Sequence, residues 1–477
     1  MSSLDVTGAA SARTNRVWAI RVILALGLAV TCMLGAVTSA AASDAPITRA
    51  VTQLIVPGGA THMAARGNVV ATISADGSSV SIIDAAALTV RSTTALPVAP
   101  SGVALSPDGS FAYVTAGYEV FVVDTATGAV VRSGAYNNEP MRDLVLGGTS
   151  PCNSASRNGM QSRSPAMSPD GRLLYFVGDC HYGWPVIFSI DPMTMLVVQK
   201  ATTSRGRGGL GLPNGPLAAF DDQAIVTGSK PNGGPTAIAI TSNGGMSEGF
   251  WYAGEFSAGP FSALTRDPVT GALLASKGDS LVWVDPVSGA QARSLEGVGS
   301  AFGDVKVDPS TGLIYGRDGQ GTVVVDPASG RVLGMIMTTL DAVAGGRGYH
   351  ATATGVDVLD LGSGLVPTQP LALAAKVGRA AKGKVSATVT WRAPVSAAST
   401  PATAYLLRGY SYRNSSDKKP AVVATKVGPE TTSSRITLRQ VTTTNAKKPA
   451  IYAFTVTPIS EFGSGASSYT QIQAQRK

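Results

Sequence analysis

The chain has few charged and few aromatic residues. Only 14% of its 477 residues are charged and 6% are aromatic, whereas glycine occurs 55 times. Amphipathic helices need charged side chains on their exposed faces, so this composition argues against a largely helical protein. Short strands joined by tight turns tolerate many glycines. The composition therefore predicts an all-β chain.

Histidine and cysteine are also scarce, with three residues of each. No two of the histidines (His62, His181 and His350) have the spacing of a metal-binding motif, so neither a metal site nor a cofactor is predicted. No Ser-His-Asp order, paired-carboxylate motif or phosphate-binding loop can be singled out either. These absences favour a non-enzymatic protein and leave catalysis open.

Residues 1–42 have the features of a secretory signal peptide. An arginine-containing stretch precedes the apolar run Val22–Val37, and an Ala-x-Ala site follows at Ala40–Ala42. We therefore expect a secreted, extracellular protein that associates with the cell surface. The alternative is an uncleaved anchor, which is the only route by which this sequence predicts membrane attachment.

Removal of the signal segment leaves two cysteines, Cys152 and Cys180. In an exported protein, an even pair indicates a disulfide. Two separate buried thiols are the alternative.

A unit of four short strands recurs along the chain. The stretch "SPDGSFAYVTAGYEVFVVDTATGAVV" (Ser106–Val131) alternates apolar runs with turns, and its central runs are apolar on both faces. The aspartate that follows the third run recurs at intervals near 40 residues. Its positions are Asp84, Asp124, Asp191, Asp285, Asp326 and Asp360. Such a period predicts a seven-bladed β-propeller over residues 46–366, with six or eight blades as the alternatives.

The ends of this repeat region predict how its ring closes. The last unit has three apolar runs, and the single run "AVTQLIVP" (Ala50–Pro57) stands before the first full unit. Pairing of that run with the last unit would hide two strand edges.

The repeat resembles the YVTN-type propeller repeat of exported bacterial proteins, which is related to lactonase-like propellers. Tyr113, Val114 and Thr115 match the motif, whereas Ala116 replaces its asparagine. The resemblance implies the fold more firmly than a chemistry, because propellers include both enzymes and binding proteins.

Residues 367–477 resemble a fibronectin type III-like β-sandwich. "KVSATVTWRAP" places Trp391 where that family has a core tryptophan, and "IYAFTVTPISEFGSGASS" (Ile451–Ser468) matches its Tyr-x-Phe-x-Val run. An added loop, "TTTNAKK", departs from the family pattern. The resemblance implies adhesion, spacing or binding.

Charge divides the chain at the same boundary. Residues 44–366 contain 19 Lys and Arg against 26 Asp and Glu, whereas residues 367–477 contain 16 against 3. The basic C-terminal segment is expected to dock onto anionic cell-wall polymers. Nucleic acid is not expected, because the protein is exported and the segment lacks interleaved aromatics. Solubility alone is the other interpretation of this charge.

A candidate binding site is predicted on the loop face of the propeller. Basic and aromatic side chains of several loops are expected there, suited to a glycan, an envelope protein or an acidic ligand. The residues are Arg142, His181, Tyr182, Trp184, Arg205, Arg207, Lys230 and Asp304. Asp304 is a candidate base or cation ligand, or a residue that bonds a turn. Ordinary surface charges around a disulfide-linked loop are the alternative for the whole set.

The sequence thus predicts a non-enzymatic binding or scaffold protein of the bacterial envelope. The alternative is a lactonase-like hydrolase or lyase that acts in the extracellular space. The sequence does not specify the ligand.

Overall fold

The computed structural model describes the chain from residue 50 onward, with gaps. The described residues are 50–117, 119–135, 163–180, 184–202, 212–221, 223–229, 235–241, 261–299, 301–361, 364–412, 420–441 and 450–474. They contain 35 β-strands, a 3-10 helix at Val395–Ala398 and no α-helix. The prediction of an all-β chain is confirmed.

The chain divides into two compact units, Met1–Ala45 and Pro46–Lys477. The first unit lies outside the described residues, and so does the predicted signal peptide.

The first 27 strands form seven small antiparallel sheets, six with four strands and one with three described strands. The strands of the first four sheets along the chain are β2(Met63–Arg66), β3(Val69–Ile73), β4(Ser79–Asp84) and β5(Thr89–Ala95); β6(Pro100–Leu105), β7(Phe111–Ala116), β8(Glu119–Asp124) and β9(Val130–Ala135); β10(Arg163–Met167), β11(Leu174–Cys180), β12(Trp184–Ile190) and β13(Val197–Thr202); and β14(Leu212–Ala219), β15(Gln223–Ser229) and β16(Pro235–Thr241). The strands of the other three are β17(Ala263–Arg266), β18(Leu273–Lys277), β19(Ser280–Val284) and β20(Gln291–Leu295); β21(Asp304–Val307), β22(Ile314–Arg317), β23(Thr322–Asp326) and β24(Arg331–Ile336); and β25(Ala342–Ala344), β26(Arg347–Thr352) and β27(Gly355–Asp360) with β1(Ala50–Ile55).

The first strand of each sheet contacts the first strand of the next. These contacts run from β2 through β6, β10, β14, β17, β21 and β25, and β25 contacts β2 again. The arrangement is propeller-like.

The N-terminal strand closes the last sheet. β1 pairs antiparallel with β27, with Leu54 opposite Val356 and Ile55 opposite Gly355. The predicted pairing of Ala50–Pro57 with the last unit is confirmed. Leu54 and Val56 are buried there against Val70 and Tyr349.

The central strands of the sheets are buried on both faces, as their continuous apolar runs predict. In β8, the four residues Val120–Val123 are all buried. Val120 and Val122 pack towards the β10–β13 sheet, whereas Phe121 and Val123 pack towards the β2–β5 sheet. Neighbouring sheets thus cover each other.

The recurring aspartate organises the turn after the third strand. Asp124 Oδ1 accepts hydrogen bonds from the backbone N–H groups of Ala126 (3.0 Å) and Thr127 (2.8 Å). Gly128 completes the turn with a φ of 76°, a conformation that glycine adopts without steric cost. The carboxylates of Asp84, Asp191 and Asp285 accept the equivalent pairs of N–H groups.

The C-terminal segment forms two further antiparallel sheets. One contains β28(Leu371–Ala381), β29(Lys384–Arg392) and β32(Ser433–Arg439); the other contains β30(Ala404–Tyr412), β31(Ala421–Val427), β33(Ala450–Ser460), β34(Gly463–Ser464) and β35(Ser468–Ala474). Both contribute to one core. Trp391 is 3% exposed in that core, and its ring meets the ring of Tyr405 edge to face at 5.6 Å.

The C-terminal sheets are attached to the β21–β24 sheet by a buried connection. Val366 pairs with Met335 through two backbone hydrogen bonds of 2.8 and 3.0 Å. Val366 and Ala466 belong to the same apolar cluster as Phe302 and Met335. The 3-10 helix at Val395–Ala398 packs against β24.

Candidate functional site

Most residues of the predicted loop-face site lie outside the described residues. These are Arg142, His181, Tyr182, Arg205, Arg207 and Lys230. Trp184 begins β12, and only its backbone is described. Their assembly into one site stays a prediction, and Asp304 is the member whose side chain the structure places.

The side chains of the predicted disulfide also lie outside the described part of the structure. Cys152 lies outside the described residues, and Cys180 ends β11 with only its backbone described. No disulfide is found in the described part of the chain, so the pairing stays a prediction.

Asp304 is the first residue of β21, and its carboxylate is paired. Lys306, two residues further on the same strand, donates a hydrogen bond from Nζ to Asp304 Oδ2. Alternate residues of a strand point to the same side, which brings these two side chains together. Their exposed fractions are 23% for Lys306 and 27% for Asp304, so solvent reaches the pair.

A second pair lies in the neighbouring sheet. Asp341 immediately precedes β25, and His350 lies in β26. The His350 Nδ1–H donates to Asp341 Oδ2 at 3.2 Å, and the Ala351 N–H donates to the same oxygen at 2.8 Å. The carboxylate therefore selects the tautomer with a proton on Nδ1.

The two pairs form one group, which we call the inner-strand cluster: Asp304, Lys306, Asp341 and His350. β21 and β25 are in contact, and the charge of Lys306 acts on Asp341. Two carboxylates and two basic groups thus lie on β21, immediately before β25, and on its neighbour β26.

Electrostatics favour the charged forms of the second pair. The hydrogen bond with Asp341 is the main cause of a raised pKa at His350, and it outweighs the lowering effect of burial. Burial acts to raise the pKa of Asp341, but the hydrogen bonds from His350 and Ala351 and the charge of Lys306 leave it below its usual value. The pair is therefore an ion pair in weakly acidic solution.

The cluster can donate hydrogen bonds to a polar ligand. The His350 side chain is 31% exposed, and its Nε2 has no partner among the described residues. A protonated His350 would present Nε2–H, and Lys306 has further N–H donors beside its bond to Asp304. Hydroxyl, carboxylate and phosphate groups are the acceptors that such donors bind.

Neither Lys306 nor Asp341 was predicted from the sequence, and His350 was considered there only for metal spacing. The available signal for Lys306 was its position two residues after Asp304, since alternate residues of a strand point to the same side. Asp341 stands nine residues before its partner, and only the pairing of β25 with β26 brings the two side chains together.

The described residues contain neither a metal-binding group of side chains nor a membrane-spanning helix. No group of three or more His, Cys, Asp or Glu side chains is arranged to hold a metal ion in that part of the chain. Among the same residues there is no helix with the length and apolar character needed to cross a bilayer.

Comparison with known proteins identifies no family. No protein-family model and no curated protein matches the chain. A solved structure described as "Crystal Structure of Mitotic Checkpoint Complex" is similar to it at 15% sequence identity and a TM-score of 0.45. The similarity covers 76% of this chain and 97% of that chain.

Proposed function

We propose that this protein is an exported, non-enzymatic binding or scaffold protein of the bacterial envelope. A seven-bladed β-propeller recognises a partner protein or a glycan, and a fibronectin type III-like module docks onto anionic wall polymers.

The seven sheets support the propeller. Their first strands contact one another in chain order and return to the start, and β1 completes the last sheet with β25–β27. Closure of this kind covers the apolar sheet faces that would be exposed at the two ends of an open array. Asp304 begins β21 and Asp341 immediately precedes β25, so the inner-strand cluster lies beside the starts of two of these first strands.

The two C-terminal sheets support the fibronectin type III-like module. One sheet has three strands and the other has five, and a common core lies between them. Trp391 and Tyr452, which carry the sequence resemblance, are both buried in that core. This is the layout of a two-sheet antiparallel sandwich.

The observation that carries the functional proposal is the separation of charge within one compact unit. Acidic residues exceed basic ones by 7 in residues 44–366, and basic residues exceed acidic ones by 13 in residues 367–477. The two regions belong to the same unit. The basic region would hold the protein on an anionic surface, while like charge keeps the propeller away from that surface.

Sedimentation with purified bacterial envelopes tests this function. The full mature chain is incubated with envelopes over a series of salt concentrations. We expect co-sedimentation at low salt and release as salt rises, because screening weakens attraction between exposed charges. Absence of co-sedimentation at every salt concentration would contradict envelope docking.

The inner-strand cluster also supports one alternative, an enzymatic function. A carboxylate that orients an imidazole through Nδ1 is also the arrangement of a general base. A lactonase-like hydrolase predicts turnover of lactone substrates that is lost on chelation and in Asp304→Ala and His350→Gln. A panel of lactones without turnover would remove this alternative.

A further inference from the structure

One face of the C-terminal module carries only basic and small side chains. We call this the basic face: the outer surface of the β28–β29–β32 sheet. Five exposed cations lie on it at regular register positions, namely Lys376, Lys384, Arg392, Arg435 and Arg439. Arg379 of β28 is a further exposed cation, at the register shift between Val377 and Ala380.

Strand alternation produces this face. In β29, Val385, Ala387, Val389 and Trp391 point into the core. The residues between them therefore point outward. Ile436 and Leu438 of β32 are buried in the same core, which turns the two β32 arginines outward beside β29.

The strand register places the five cations in three rows. Thr388 lies between Lys376 and Arg435, and Lys384 lies opposite Arg439. Arg392 forms the third row at the other end of β29. Adjacent rows are four residues apart, or roughly 13 Å at ~3.3 Å per residue, and the whole face is about 27 Å long.

The cations of the basic face are available for a ligand. Among the described residues, none of the five takes part in an ion pair or a side-chain hydrogen bond. The strands β28, β29 and β32 contain no aspartate or glutamate. Exposed hydroxyl groups stand between the cations, on Thr388, Thr390 and Thr437.

The chemistry of the face favours a hydrophilic polymer over a bilayer. A surface that enters a membrane interface presents large apolar or aromatic side chains, but the outward residues between these cations are alanine, glycine, serine and threonine. Arginine, lysine and hydroxyl side chains together are the usual partners of phosphate groups in an extended backbone. Because the rows succeed one another along the direction of the strands, they suit a linear chain laid in that direction.

We propose that the basic face binds a linear polymer whose repeating units carry phosphate groups, laid along the strands of the β28–β29–β32 sheet. This inference rests on the proposed envelope-docking function and specifies its ligand and its surface. Binding is electrostatic and therefore depends steeply on salt.

The test uses the full mature chain with end-labelled long-chain sodium polyphosphate, with binding followed by anisotropy over a salt series. If all five cations contact phosphates, a plot of log K against log salt has a slope of about −3.5, at ~0.7 per contact. In Arg435→Gln/Arg439→Gln, we expect a slope of about −2 and affinity that is lower by roughly tenfold at low salt.

A matched variant controls for net charge. Arg408→Gln/Lys426→Gln removes two cations from the other sheet of the same module, where β30 pairs with β31. We expect its slope and its affinity to equal those of the wild type. Equal loss in both variants would overturn the assignment to the basic face.

Two competing ligands test the choice of polymer. Poly-L-glutamate with the same number of charges and vesicles of phosphatidylglycerol are compared with polyphosphate. Equal or tighter binding of either one would overturn the proposal. Envelope binding that is unchanged in Arg435→Gln/Arg439→Gln would overturn the basic face and leave envelope docking standing. Polyphosphate binding without envelope binding would overturn envelope docking and leave the basic face as a phosphate-binding surface.

Discussion

At the scale of single residues, His350 and Asp341 make stability depend on pH. The pKa of His350 is raised above its usual 6.5, so its contribution is complete below that pH and is lost as pH rises through the raised value. The pKa of Asp341 is lowered below its usual 3.8, so its contribution is present above that pH and is lost in stronger acid. The pair therefore stabilises the fold most between these two values.

The substitution His350→Gln removes this dependence. We expect the variant to be less stable than wild type by about 1 kcal/mol near pH 5.5, and the difference to shrink towards about pH 8.5. Urea denaturation at both pH values measures it. His62→Gln is the control, because His62 is exposed and its ring hydrogen-bonds only the neighbouring Thr61 among the described residues. A difference that stays constant with pH would contradict the ion pair.

Asp308 is a buried carboxylate that joins two sheets. It is 0% exposed. Its Oδ2 accepts the N–H of Gly346 from the turn between β25 and β26 at 2.9 Å, and its Oδ1 accepts the N–H of Ser310 at 2.9 Å. Without Asp308, both N–H groups would lose their acceptors, and the hydrogen bond to Gly346 that joins the two sheets would be lost.

We expect Asp308→Ala to lower the free energy of unfolding by roughly 1–3 kcal/mol, because hydrogen bonds to a charged group contribute ~1.5–3 kcal/mol and both N–H groups are partly buried. Asp318→Ala is the matched control. Asp318 also accepts two backbone N–H groups, from Gln320 and Gly321, but it lies in an accessible turn where water can replace it. Its loss should cost about 0.5–1 kcal/mol. Equal costs would show that burial of Asp308 is unimportant.

At the scale of elements, the pairing of β1 with β27 depends on Gly355. A Cβ on Gly355 would lie 1.9 Å from the carbonyl oxygen of Leu54 and 2.8 Å from the nitrogen of Val56. Both are backbone atoms of the closing segment, so Gly355→Ala must separate the two strands. We expect a loss of about 3 kcal/mol and faster hydrogen exchange at β1 amides.

Gly303→Ala provides the control for that variant, since a Cβ there would have nothing within 4 Å. Its stability should be close to that of the wild type. Unchanged exchange protection of β1 in Gly355→Ala would contradict the closing role of this strand.

The same strand illustrates what the sequence could predict. "AVTQLIVP" lacks neighbours with which to form its own sheet, and the last unit lacks a fourth strand, so local patterning was enough to pair them. The turns were predictable for a similar reason, because the aspartate and glycine act on backbone groups within five residues. The positive φ of Leu88 and Met195, at 55° and 59°, was not predictable, since those two turns have no glycine.

The inner-strand cluster shows where sequence patterning is insufficient. Its members come from two sheets, and the distance between Lys306 and Asp341 depends on how the sheets pack. Charge composition also distinguished residues 367–477 from the rest of the chain, but it did not indicate which surface of that segment is basic. The strand alternation around Trp391 and the register between β29 and β32 determine that face.

At the scale of the whole molecule, the C-terminal module is fixed to the β21–β24 sheet. Segments that join independent domains are usually exposed, but Val366 and Thr368 are 2% and 4% exposed. The N–H of Thr368 donates to Ser396 Oγ at 2.9 Å, and Ser396 is fully buried. The position at which composition and charge change is therefore inside a packed interface.

This interface predicts that the module and the sheets unfold together. Met335 is fully buried in the cluster that includes Val366. We expect Met335→Ala to lower the stability of the whole unit by about 2–4 kcal/mol, because the cavity weakens both sides of the interface. Hydrogen exchange followed by mass spectrometry should report the same loss in β23 and in β33. Val422→Ala, at an exposed position on β31, should change neither. Loss of protection in β23 alone would mean that the module is held independently and that the basic face moves relative to the seven sheets. A shared loss would mean that any surface docked on the basic face fixes the direction in which the inner-strand cluster points.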